Sequence, residues 1–125
     1  MPVFQILIID DFDDIVEEFV VMLELLGFSA IGAATLDEGI ATLKRHETIE
    51  VIISDVRLPG HSGFELVDAM KTDPVLRDRH LSCIFMSGEM PISNNSLAYP
   101  VMAKPLDMAR LLAELQRILG GGPPQ

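Results

Sequence analysis

Short, nearly all-apolar runs rich in β-branched residues alternate along this chain with segments of helical periodicity. That alternation predicts an α/β fold with a parallel five-stranded sheet wound on both faces. The second observation is chemical: Asp10, Asp11, Asp55, Ser87 and Lys104 all fall at or just beyond the ends of the apolar runs. Right-handed crossovers would carry those ends to one edge of the sheet, where folds of this class bind ligands. A length of 125 residues fits one domain, with 49% hydrophobic and 22% charged residues. Residues 1–119 are expected to form it, with 120–125 a tail or the start of a linker.

Val3–Ile9 reads as a buried strand ending in two carboxylates. Asp13 or Asp14 is placed to cap a helix whose apolar positions include Ile15, Phe19, Met22, Leu23 and Leu26, and Gly27 stops it. Phe28–Gly32 is a second strand. Thr35 and Glu38 form a capping box opening a helix to about Arg45. Val51–Ser54 is a third strand, running into Asp55. After the Pro59–Gly63 loop, Ser62 and Glu65 offer a second capping box for a helix to about Lys71. Leu81–Ser87 and Val101–Ala103 supply the last two strands. Asp107 caps a final helix with the stripe Leu111, Leu112, Leu115, Ile118 and Leu119.

The formal net charge of -10 opposes direct binding to nucleic acid or anionic membranes. The Lys44-Arg45 pair reads as a solvated helix end. Cys83, the only cysteine, excludes an intrachain disulfide and reads as a small buried thiol. No apolar stretch is long enough for membrane insertion and no signal-peptide pattern opens the chain, which points to the cytoplasm.

If the first and third strands are neighbours, Asp10, Asp11 and Asp55 converge. Clustered carboxylates are costly unless a cation compensates or a proton is taken up. An all-oxygen set suits a hard ion such as Mg2+, whereas zinc would require nitrogen or sulfur ligands. A carboxylate beside such an ion can attack a phosphoryl donor and form an acyl phosphate. Lys104 would then hold one phosphoryl oxygen and Ser87 another. Taken singly, each of these residues reads as a helix cap, a strand-end hydroxyl or a surface lysine. Their joint placement at one edge is what carries the chemistry.

Ile9-Asp10-Asp11, Ser54-Asp55-Val56-Arg57-Leu58-Pro59 with Gly63, Met86-Ser87-Gly88 and Lys104-Pro105 together resemble the response-regulator receiver domain of two-component systems, over residues 3–119. The resemblance implies a flavodoxin-like (βα)5 fold with Asp55 as phosphoacceptor. It implies Mg2+, replaceable by Mn2+, on Asp11, Asp55 and the Arg57 backbone carbonyl, with Asp10 acting through water. Lys104 would pair with the phosphoryl group and Ser87 would be the switch hydroxyl. The implied partners are a histidine kinase or histidine phosphotransfer protein and an unidentified downstream protein. The implied chemistry is limited to phosphorylation and autodephosphorylation at Asp55. Two alternatives stand beside it. One is an aspartate-nucleophile phosphohydrolase, which the separation of Asp10-Asp11 from Asp55 fits poorly. The other is a degenerate receiver used only for binding, which the intact residue set opposes.

Ser87 and Lys104 are 17 positions apart, fewer than the family usually shows. Pro91, Asn94, Asn95 and Pro100 interrupt the segment between them, so a shortened or irregular fourth helix is expected. Val101 stands where many members carry a switching aromatic, and Tyr99 reads as a loop anchor. Arg57 and Glu89, each two residues past a site residue, are expected to control water access to the acyl phosphate. His46, His61 and His80 are expected at the surface.

Overall fold

The structure, a computed structural model, describes residues 3–88 and 99–119. Five parallel strands form the main sheet: β1 (Ile6–Ile9), β2 (Ala30–Ala33), β3 (Val51–Asp55), β6 (Ser82–Ser87) and β7 (Val101–Ala103). Their order is β2-β1-β3-β6-β7. A two-residue antiparallel ribbon, β4 (Arg57–Leu58) with β5 (His61–Ser62), follows β3. The helices among the described residues are α1 (Asp13–Leu25), α2 (Leu36–Arg45), α3 (Glu65–Thr72) and α4 (Met108–Ile118). The expected doubly wound fold is thus present. The proposed irregular fourth helix, Glu89 and the 120–125 tail lie outside the described residues.

Strand alternation divides the core into two layers. Leu7, Ile9, Ile52, Cys83 and Phe85 face a cluster with Leu36 and Leu43 of α2 and Leu66, Val67 and Met70 of α3. Ile6, Ile8, Val51, Ile53, Ile84 and Met86 face Leu23 of α1 and Leu111 and Leu115 of α4. Because both faces are covered, every position of β1 and β3 is buried: β1 is apolar throughout, and β3 is apolar over its first three residues before Ser54 and Asp55. Each fully buried Leu or Ile contributes roughly 1.5–3 kcal/mol of transfer free energy. Cys83 is buried against Met70, with sulfurs 3.3 Å apart, and burial pushes its thiol up to about 12. Tyr99 packs against the first layer, as a loop anchor would.

Several element ends differ from the sequence expectation for identifiable reasons. Neither Asp13 nor Asp14 caps α1. The N-cap is Phe12, and the two carboxylates lie in the first turn, where they complement the helix dipole. Phe12 holds that place because its N–H donates to Oδ1 of Asp10 at 3.0 Å. Beyond α1, Gly27 at φ 98° closes the helix with two reversed bonds, Gly27 N to Glu24 O and Phe28 N to Leu23 O. Phe28 is spent on that closure, so β2 begins at Ala30.

The Thr35 cap of α2 forms as expected, with its hydroxyl accepting from Glu38 N at 3.1 Å. Asp107 likewise accepts from Ala109 N and Arg110 N. Only half of the Ser62–Glu65 box forms. Glu65 Oε2 accepts from Ser62 N at 2.7 Å, but the Ser62 hydroxyl accepts from Phe64 N. The strand position of Ser62 in β5 delays the helix by two residues. Arg79, which sequence reading passed over, donates to the carbonyls of Leu43, His46 and Ile49 and ties down the end of α2. Lys44 pairs with Asp73 at 2.8 Å, linking α2 to the turn after α3. His61 and His80 are exposed, but His46 is half-buried, its ring edge-on to Phe4 at 5.1 Å.

Candidate phosphoryl and metal site

The register β1 to β3 pairs Ile9 with Ser54, so the next residues on each strand, Asp10 and Asp55, emerge side by side. One strand further, Asp55 pairs with Met86, and Ser87 pairs with Ala103 of β7. Ser87 and Lys104 therefore arrive at the same edge from neighbouring strands, and Lys104 N donates to Ser87 O at 2.8 Å. Asp11, Asp55, Arg57, Ser87 and Lys104 line one open cleft of ≈ 490 Å³, together with Phe12, Val56, Leu58, Pro59 and Gly88. Asp10 does not line the cleft: it is fully buried, with a carboxylate oxygen within 4.8 Å of those of Asp11 and Asp55.

Within this group Lys104 Nζ donates to Asp55 Oδ2 at 2.9 Å and stands 3.5 Å from Asp10 Oδ2. The longer approach is a charge contact rather than a formed hydrogen bond, and Asp10 Oδ2 has no hydrogen-bond partner among the described residues. Burial holds the Asp10 carboxyl above the ordinary aspartate range. The Phe12 N–H and the Lys104 charge oppose that rise, while Asp55 and Asp11 add to it. For Lys104, burial pulls the pKa down, but the hydrogen bond to Asp55 and the charges of Asp55 and Asp10 outweigh it. Its ammonium stands above the ordinary lysine value.

Asp10, Asp11 and Asp55 each offer a carboxylate oxygen, all within 4.8 Å of one another. Lys104 sets its ammonium against Asp55 and Asp10 of this three-carboxylate cluster, in a partly dry setting. The buried, unpartnered Asp10 oxygen and the all-oxygen donor set fit a small hard dication.

The loop that follows Asp55 is tied down by hydrogen bonds. Arg57 N donates to Asp55 Oδ1 at 3.3 Å, and Gly63 N donates to Val56 O at 2.6 Å. Ser54, buried beneath, donates its hydroxyl to Asp55 O at 3.0 Å. His61 is turned away to Glu65, at 3.2 Å, and does not line the cleft. Sequence reading missed Phe12 on the cleft wall. The signal for it was an aromatic residue directly after an acid pair, where a polar helix cap would be ordinary.

This combination of a doubly wound β2-β1-β3-β6-β7 sheet with an acidic edge site defines a class, and the comparison with known families agrees. Residues 6–116 match the response regulator receiver domain, and the chain belongs to that family of two-component signalling proteins. Among curated relatives, it is 32% identical over 122 residues to the transcriptional regulatory protein FixJ of Azorhizobium caulinodans, covering 90% of this chain and 54% of that protein. It is 29% identical to the C4-dicarboxylate transport transcriptional regulatory protein DctD of Rhizobium meliloti, covering 25% of it. The chain thus spans about half or less of the length of these relatives. A CheY-like receiver domain structure from Methylobacillus flagellatus superposes with TM-score 0.79 at 26% identity, covering 93% of this chain and 98% of that one. Another, from Methanospirillum hungatei, gives TM-score 0.78 at 27% identity, with 94% of each chain covered.

Proposed function

We propose that Asp55 accepts a phosphoryl group from a histidine kinase or histidine phosphotransfer protein, and that the phosphorylated domain presents an altered surface to a downstream protein. The observation that carries this reading is the convergence of Asp11, Asp55 and Lys104 on one open cleft, with the buried Asp10 carboxylate in contact with them. Mg2+, with Mn2+ as a substitute, would be held by Asp11, Asp55 and the Arg57 carbonyl with Asp10 behind them, and supplies positive charge that offsets repulsion between carboxylate and phosphoryl oxygens. An Asp55 carboxylate oxygen attacks phosphorus, and the leaving group departs with its bonding electron pair. Lys104, already poised on Asp55 Oδ2, holds a phosphoryl oxygen as charge redistributes. The Ser87 hydroxyl donates to another, which is how the phosphorylated state would draw on β6 and reach the rest of the domain.

On this reading the only chemistry is gain and loss of the phosphoryl group at Asp55, and phosphoesters are not turned over. No helix among the described residues is long and apolar enough to cross a membrane, and a cytoplasmic kinase partner is part of the proposal. Residues 1–119 would act as the receiver unit.

The test is incubation with magnesium and a small acyl phosphate, read by intact mass. A single phosphoryl adduct is expected, and chelation of the metal should reduce its formation to background. Absence of any adduct on the wild type would refute the proposal. Arg57, on the cleft wall, and Glu89, placed near it by sequence alone, are proposed to set the adduct's lifetime by controlling water entry. Arg57→Ala and Glu89→Ala are expected to change the hydrolysis half-life several-fold. Unchanged decay in both variants would remove that role.

A further inference from the structure

Among the described residues, Phe12 is the one large apolar side chain on the cleft wall that stands mostly in water. It is 59% exposed, yet lines the same cleft as Asp55, Ser87 and Lys104. Its main chain is fixed on both sides: the N–H donates to Asp10 Oδ1 at 3.0 Å, and the carbonyl accepts from Val16 N at 3.1 Å as the first bond of α1. The N-cap position it occupies favours a side-chain oxygen that can accept from the first helical N–H groups. Phe12 cannot do so, and α1 has no side-chain cap. A residue that breaks the local rule beside a reactive cleft points to a role in that cleft.

We propose that Phe12 is a specificity-determining residue that stacks against the planar imidazole of an N-phosphorylated donor while the phosphoryl group passes to Asp55. The inference rests on the phosphoacceptor reading above and names the donor class it favours. In the step, an Asp55 oxygen forms a bond to phosphorus as the P–N bond breaks. The electron pair returns to the ring nitrogen, and the ring leaves as neutral imidazole after taking up one proton from solvent. A stacked aromatic pair of ordinary strength corresponds to a rate advantage of roughly three- to ten-fold over a donor without a ring.

The experiment compares two donors that share the P–N bond and differ in the ring: N-phosphoimidazole and phosphoramidate. Second-order rates of adduct formation, with magnesium present and intact mass as readout, are measured for wild type, Phe12→Ala, Phe12→Leu and Phe12→Tyr. Phe12→Ala and Phe12→Leu are expected to lose roughly three- to ten-fold with N-phosphoimidazole and to match wild type with phosphoramidate. Phe12→Tyr should keep the wild-type ratio. Equal slowing with both donors, no slowing with either, or a wild-type ratio in Phe12→Leu overturns the proposal, because each removes the dependence on an aromatic ring. A wild type that accepts from neither donor overturns the phosphoacceptor reading itself, and this inference with it.

Discussion

The Asp55→Asn variant is expected to carry no phosphoryl adduct under magnesium and donor conditions that load the wild type completely. A carboxamide is a far poorer nucleophile than a carboxylate, and removing a nucleophile eliminates the covalent step rather than slowing it modestly. The fold should survive. The amide oxygen can still accept from Lys104, which now stands 2.9 Å from Asp55 Oδ2, and one charge leaves a crowded acidic cluster. The Lys104–Asp55 pair is largely buried, with side chains 28% and 10% exposed, and the fold survives because the asparagine keeps the hydrogen bond while one of three clustered negative charges is removed. Thermal unfolding and intact mass together check both halves. An adduct that persists at wild-type level in a folded Asp55→Asn protein would reassign the acceptor.

Gly63→Ala should be the most damaging small substitution near the site, costing about 2–3 kcal/mol as overpacking against main chain. A Cβ at Gly63 would run into the carbonyl oxygen of Asp55 and come within 3.1 Å of its carbonyl carbon and of Ser54 Oγ. The first two are main-chain atoms, and Ser54 Oγ is held by its own hydrogen bond to Asp55 O at 3.0 Å. The Gly63 N–H is also bonded to Val56 O, so the segment cannot simply retreat. Relief must come from moving the Asp55 backbone, and the acceptor carboxylate with it. A fall in melting temperature of roughly 10 °C and a slower phosphorylation rate are both expected. Gly60→Ala is a useful contrast. It has φ 71° and open space around it, so its cost is backbone strain of about 1 kcal/mol without displacement of Asp55. Equal behaviour of the two variants would show that the contact at Gly63 does not constrain the acceptor.

The elements legible in the sequence were those whose causes are local. β1, β3 and β6 each contain a continuous apolar run because both faces are covered, and Thr35 and Asp107 announce their helices through their own side chains. The start of α1 was misread because its N-cap N–H is taken by Asp10, two positions earlier in the chain. The β4–β5 ribbon, two residues on each side, is too short for any periodicity to register. Arg79 was passed over because its three carbonyl partners lie 30 to 36 positions away.

The sequence by itself determined the residue types of the site and the strand ends on which they stand, because apolar runs and the carboxylates that terminate them are neighbours in the chain. It also placed Asp55 at the end of a buried strand. Only the tertiary structure decided that Asp10 is buried with an unpartnered oxygen while Asp11 is exposed, that Lys104 reaches Asp55 at 2.9 Å, and that Phe12 stands on the cleft wall. Those outcomes depend on strand order and register, which are set by packing two helical layers against one sheet. No local propensity encodes them.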